Sequence, residues 1–132
     1  MRILVVDDEY INRRVLHRLA QTHGEVESVA GGEEALVAFA LAHDEGAPFA
    51  LILLDIEMPG LDGHQTLRRL RDEESRRGVH GGRAAKVFMT TVRDDATSVF
   101  AAFRDQCEAY LIKPVMPEAL REALVRCRLV KP

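Results

Sequence analysis

Apolar and polar residues come in short alternating blocks along this chain. Ile3, Leu4, Val5 and Val6 are followed at once by Asp7 and Asp8, the pattern of a short buried strand ending at a polar edge. Val15, Leu16, Leu19 and Ala20 recur at helical spacing and predict a helix over 10–21, with Gly24 supplying its C-cap. Residues 26–30 alternate, as a less buried edge strand does, and Gly31-Gly32 turns the chain into a second helix. Glu33 and Glu34 suit the positive end of that helix, Ala35, Leu36, Phe39 and Ala40 form its core stripe, and it frays over 43–48. Residues 49–54 are then apolar without a break, and Asp55 follows directly. Such a run, bounded by the turn signals Pro59-Gly60 and Asp62-Gly63, is a strand buried on both faces. A third helix is predicted over 64–77, with Leu67 and Leu70 inward and Arg68, Arg69, Arg71, Asp72, Glu73 and Glu74 mostly outward. Its arginines read as a solvated face with local ion pairs. Residues 78–85 hold three glycines and read as a long flexible loop. A fourth strand over 86–91 ends on Thr90 and Thr91. A fourth helix begins at Asp94-Asp95, with Ala96, Val99, Phe100 and Phe103 as its stripe. A fifth strand over 109–112 ends on Lys113-Pro114, and a last helix from Pro117 carries Leu120, Ala123, Leu124 and Cys127 on one face.

Strand and helix thus alternate five times. That predicts an α/β fold, a doubly wound parallel sheet of five strands with right-handed crossovers and five helices on its two faces. Parallel strands align their carboxyl ends, so Asp7 and Asp8, Asp55, Thr90 and Thr91, and Lys113 gather at one edge. In open α/β sheets that edge binds ligands. Burial alone gives no reason to place an acid at the end of the central strand.

Composition narrows the class. The 132 residues suffice for one domain, 1–132 with a core of about 2–128, and nothing in the chain is left for an output domain. A net charge of −3 lacks the basic excess that accompanies nucleic-acid binding. No apolar stretch nears the length of a membrane span, and four apolar residues followed by Asp7, Asp8 and Glu9 cannot form a secretory signal core. Cys107 and Cys127 lack metal or CxxC spacing, so two inert thiols in a cytoplasmic protein are expected, with Cys127 packing as a small hydrophobe. The five histidines lack ligand spacing, and 78–82 lacks the Lys-Ser/Thr ending of a phosphate loop.

The charges at the sheet edge suggest its chemistry. Three close carboxylates repel one another, and a single ammonium leaves an excess of about two negative charges. That excess suits a hard divalent cation with oxygen ligands, such as Mg2+. A cation, a nucleophilic carboxylate, a lysine and a hydroxyl together make a phosphoryl-transfer site. Asp7-Asp8 alone reads more readily as a helix N-cap than as a site, and Lys113 alone is compatible with a surface lysine. Their joint presence with Asp55 favours the site.

Four segments in order, Val5–Glu9 (V-V-D-D-E), Leu53–Gly63 (L-L-D-I-E-M-P-G-L-D-G), Met89–Thr91 (M-T-T) and Tyr110–Pro114 (Y-L-I-K-P), resemble the receiver domains of two-component response regulators, here of the stand-alone type. The resemblance implies a flavodoxin-like sheet in the order 2-1-3-4-5. It implies that Asp55 accepts a phosphoryl group from a phosphohistidine, and that Asp8, Asp55 and the backbone carbonyl of Glu57 contact Mg2+, with Asp7 acting through water. Thr91 matches the switch hydroxyl, Lys113 the partner of the phosphoryl oxygens, Tyr110 the switch aromatic, and Pro114 the proline that follows a cis peptide bond. Thr90 reads as structural. The implied partners are a histidine kinase or histidine phosphotransfer protein and an unknown downstream protein docking on the fourth helix, fifth strand and last helix. The implied state is a monomer or a phosphorylation-dependent dimer, with no nucleic-acid or membrane binding in this chain and no enzymatic turnover beyond self-phosphorylation and self-dephosphorylation.

The chain departs from the family at Val92, where a small residue is usual, at Gln106, where Gly is frequent, and in a long connection over 76–86. Glu57 and Arg93 are expected to pair across the site mouth and, with Val92, to set the lifetime of the phosphoryl group. Two other readings stand beside this one. An aspartyl-phosphate phosphatase also uses Asp, Mg2+ and Lys, but its nucleophile follows the first strand within D-x-D. A pseudo-receiver docks partners without phosphorylation, and would not need a complete site.

Overall fold

The computed structural model describes residues 1–92 and 107–132. Strands β1 (Arg2–Val6), β2 (Glu25–Val29), β3 (Leu51–Asp55), β4 (Lys86–Thr91) and β5 (Ala109–Ile112) form one sheet in the order β2-β1-β3-β4-β5. Every neighbouring pair is parallel. Four α-helices lie among the described residues: α1 (Tyr10–Gln21), α2 (Gly32–Asp44), α3 (Gly63–Arg76) and a C-terminal helix (Pro117–Arg126). The helix expected from Asp94-Asp95, with Ala96, Val99, Phe100 and Phe103, lies outside the described residues, as does Gln106.

The period-two alternation of a strand sorts the core into two layers. Leu4, Val6, Ile52, Leu54, Val87 and Met89 face Phe39 of α2 and Leu67 and Leu70 of α3. Ile3, Val5, Leu51, Leu53, Phe88 and Leu111 face Leu16 and Ala20 of α1 and Leu120 and Leu124 of the C-terminal helix. The three central strands are apolar at successive positions through their middles because both of their faces are covered. β2, at the edge, is only partly buried.

Several boundaries differ from the sequence reading, each for a local reason. The central strand starts at Leu51, not at residue 49, and Asp55 is its last residue rather than the first of a loop. Phe49 is buried outside the strand, beneath the Arg2 guanidinium, which sits 4.7 Å from the ring centroid. α1 closes at Thr22, not through Gly24. Gly24 is needed for close approach, since a Cβ there would stand 2.3 Å from the Met1 carbonyl oxygen. Val15 is 48% exposed and not part of the core, because Leu16 and Ala20 already fill the inner face of α1. The Asp62-Gly63 pair opens α3 instead of making a separate turn: Asp62 accepts from the Gln65 backbone N–H, and the Gln65 side chain accepts from the Asp62 N–H.

The outer face of α3 is the largest revision. Glu74 is 3% exposed and accepts hydrogen bonds from the Ala85 N–H (2.7 Å) and from Arg71 (2.9 Å). Arg71 also donates to the Ala85 carbonyl and to Glu108, which accepts from the Val87 N–H. This network ties the connection over 78–85 to α3 and to the start of β4 and β5. The segment is therefore anchored, with Val79 and Ala85 buried and a short 3-10 turn at Gly81–Arg83. Gly78 and Gly81 adopt φ of 70° and 60°, the left-handed region that suits glycine.

Candidate functional site

The carboxyl edge of the sheet assembles the site because β1, β3, β4 and β5 run parallel and end together. Asp7, just past β1, is fully buried, while Asp8 is exposed. The N-cap reading of Asp7-Asp8 is not realised, since Glu9 caps α1 by accepting from the Ile11 and Asn12 N–H groups. Both aspartates are thereby left to the site. Asp7 Oδ1 accepts from the Glu9 N–H, which fixes its carboxylate. Asp55 is 3% exposed, and Asp7, Asp8 and Asp55 each offer a carboxylate oxygen within 4.8 Å of the others.

Two backbone contacts fix the direction in which Asp55 faces. The Ile56 N–H donates to the Thr90 carbonyl, and the Gly63 N–H donates to the Ile56 carbonyl, drawing the α3 N-terminus onto the end of β3. Only glycine fits at 63, where a Cβ would lie 2.4 Å from the Asp55 carbonyl oxygen and 2.6 Å from the Ile56 Cα. The Glu57 N–H lies 3.3 Å from Asp55 Oδ1.

Lys113 bridges two of the acids. Its Nζ lies 2.9 Å from Asp7 Oδ2 and 3.1 Å from Asp55 Oδ1, and the Lys113 N–H donates to the Thr91 carbonyl at 2.7 Å. The Lys113-Pro114 peptide is cis. Burial pulls the ammonium's pKa down, but the hydrogen bond to Asp7 and the charges of Asp55 and Asp7 outweigh it, so the net shift is upward. Asp55 is pushed up to about 6, first by burial and then by the Asp7 charge, against the opposing pull of Lys113. Burial makes the Asp55 charge costly, and three oxygens within reach of one another make a donor set that a hard divalent ion fits.

Thr91 is buried, and its hydroxyl donates to Glu57 Oε1 at 2.5 Å. The side chain expected to pair with Glu57, that of Arg93, lies outside the described residues. The Glu57–Thr91 bond was not legible in the chain, because it joins residues 34 positions apart. Thr90 is buried as well, and its hydroxyl has no hydrogen-bond partner among the described residues. Tyr110 is half-buried against the α2 and α3 layer, and Val92 is 66% exposed. Away from the site, burial pushes the Cys107 thiol up to about 11, which keeps it protonated and unreactive near neutrality. Among the described residues no helix is long and apolar enough to cross a membrane.

Comparison with known proteins agrees with this geometry. The chain is 36% identical over 129 residues to a probable transcriptional regulator, ycf27, of Cyanophora paradoxa, covering 97% of this chain and 48% of that protein. It thus spans about half the length of that relative. The receiver domain of Saccharomyces cerevisiae Ssk1, solved with the histidine phosphotransfer protein Ypd1, superposes with a TM-score of 0.80 at 25% identity, over 95% of this chain and 86% of that one. The receiver domain of the Arabidopsis thaliana histidine kinase CKI1, solved with Mg2+ and BeF3−, gives a TM-score of 0.76 at 27% identity, over 92% and 88% of the two chains. Residues 3–125 match the response regulator receiver domain family. With its sheet order, its acid cluster and that match, the chain belongs to the response regulator receiver domains of two-component signalling.

Proposed function

We propose that this chain is a phosphorylation-activated switch that takes a phosphoryl group onto Asp55 from the phosphohistidine of a histidine kinase or histidine phosphotransfer protein, in the cytoplasm. The observation that carries the reading is the buried Asp55 carboxylate at the end of the central strand, 3.1 Å from the Lys113 ammonium and grouped with Asp7 and Asp8. In the step proposed, an Asp55 carboxylate oxygen forms the new P–O bond while the P–N bond breaks, and its electron pair stays on the donor imidazole. Asp8, Asp55 and the Glu57 carbonyl would hold Mg2+, with Asp7 acting through water. The ion would supply positive charge beside the phosphoryl oxygens. Lys113 supplies the second positive charge from its place between Asp7 and Asp55. No turnover of an outside substrate is part of this reading.

The test is a mass measurement after incubation with acetyl phosphate and Mg2+. The expected result is one phosphoryl adduct on the wild type and none on Asp55→Asn. An unmodified wild type would instead support a pseudo-receiver, and steady release of phosphate from phosphomonoesters a phosphatase.

The signal would spread through Thr91. In the unphosphorylated chain Glu57 holds the Thr91 hydroxyl. A phosphoryl oxygen on Asp55 would compete for that donor and, with Tyr110, shift the surface at β5 and the C-terminal helix toward a downstream partner. Removing the competing acceptor favours the phosphorylated form. Glu57→Ala is therefore expected to slow loss of the phosphoryl group by about 3- to 10-fold, the worth of one hydrogen bond of roughly 1 kcal/mol. Loss of the adduct timed by phosphate release checks this, and an unchanged or faster rate counts against the role of Glu57. Val92 and Arg93 flank the same mouth in sequence and are assigned to the same tuning.

A further inference from the structure

We propose that the groove between α2 and the β2 edge docks a cationic amphipathic helix of another protein. The first observation lies in α2 itself. Residues 35–42 are apolar without a break, yet the core takes up Ala35, Phe39 and Ala42 fully and leaves Val37 61% and Leu41 55% exposed. A surface helix needs an apolar stripe on one side only, and one that is apolar all round belongs to a covered position. Val37 and Leu41 stand four residues apart, so they form one row along the outer side of α2.

The second observation is what surrounds that row. Val37 and Leu41 line a groove of about 440 Å3 whose other wall comes from β1 and β2. Glu27 of β2, Glu33 and Glu34 in the first turn of α2, and Glu45 at its end also line it. Among the described residues Arg2 is the one cation of the lining, and it already lies within salt-bridge distance of Glu27 and Glu45. Four carboxylates against one guanidinium leave −3, as much as the net charge of the whole chain. Apolar floor and acidic rim together call for a partner with apolar anchors and flanking lysines or arginines. A helix supplies anchors at i and i+4 that match the Val37–Leu41 row, the helix-in-groove mode of recognition. A second copy of this chain would bring the same glutamates face to face, which disfavours it. None of the lining residues belongs to the acidic site, so this inference stands apart from the phosphoryl-transfer reading.

The probe is a fluorescein-labelled helical peptide of alanine, lysine and leucine, with leucines at i, i+4 and i+7 on one face and lysines on its flanks. Its control carries glutamate for every lysine. Anisotropy titrations use the full chain with Mg2+ present, and backbone amide shifts locate the peptide. The expected result is binding of the lysine peptide alone, with shifts on α2 and β2. Affinity should fall about tenfold or more in Val37→Ser/Leu41→Ser and again in Glu34→Lys/Glu45→Lys, both changes at exposed positions. Absence of binding, equal affinity for the two groove variants and wild type, or shifts centred on Asp8 would overturn the proposal. So would a concentration-dependent dimer abolished by the Val37 and Leu41 changes, since that would assign the face to a second copy.

Discussion

Replacing Glu74 with alanine is expected to destabilise the protein by about 3 kcal/mol, a loss of roughly 10 °C in Tm for a domain of this size. The residue looks dispensable in the chain, one of several alternating charges on a helix. In the fold it is 3% exposed and is the acceptor for both the Ala85 N–H and Arg71. Its removal leaves a buried backbone donor without an acceptor and strips one carboxylate from a half-buried guanidinium. The anchor of the 78–85 connection goes with it. Glu73→Ala is the control. Glu73 pairs with Arg76 and Arg77 on the same helix but nearer solvent, and an exposed pair of that kind contributes about 0.2–1 kcal/mol. Urea unfolding separates the two cases. A midpoint for Glu74→Ala within the range of the Glu73→Ala control would show that the network is not a determinant of stability.

Asp55→Asn is expected to be more stable than the wild type at pH 7.5 without divalent metal, by about 1–3 kcal/mol. The folded chain holds this carboxyl up to about 6, against an ordinary value of 3.8, chiefly because burial penalises its charge. A group whose folded pKa is raised contributes its stability below the unfolded pKa and loses it as pH rises through the folded one. Wild type and variant should therefore converge below about pH 4, diverge between about pH 4 and 6, and keep a constant gap above about pH 7. Millimolar Mg2+ should narrow the gap, because a cation that binds only the folded, ionised site stabilises the wild type by mass action. Melting curves from pH 4 to 8, with and without Mg2+, read all of this. A wild type as stable as the variant at pH 7.5 without metal would mean that Asp55 is not held under this penalty.

The two expectations differ in how visible their residues are in the chain. Asp55 stands out because an acid directly after six apolar residues has no explanation in burial. Its companions at 7, 8, 91 and 113 can be gathered by the single rule that parallel strands end at one edge. Glu74 carries no such mark. Arg71 and Glu74 at i and i+3 look like any solvated helical pair, and only the position of Ala85 and Glu108 beside them turns that pair inward. The same holds for Gly24 and Gly63. Each looks like a cap or a turn, yet each is required by a neighbour's backbone that approaches too closely for a Cβ.

Local pattern in the chain suffices for the alternation of strands and helices, the buried central strands, the edge at which the polar residues collect and the three acids that meet there. These follow from hydrophobic period and strand polarity, which are local properties of the chain. Tertiary structure alone decided that Asp7 is buried and Asp8 exposed, that Lys113 bridges Asp7 and Asp55, that Glu57 holds Thr91, and that Glu74 lies inside. It also left Val37 and Leu41 uncovered beneath an acidic rim. Each of these depends on distances between residues far apart in the chain, and such distances are set only when the helices pack on the sheet and water is excluded from between them.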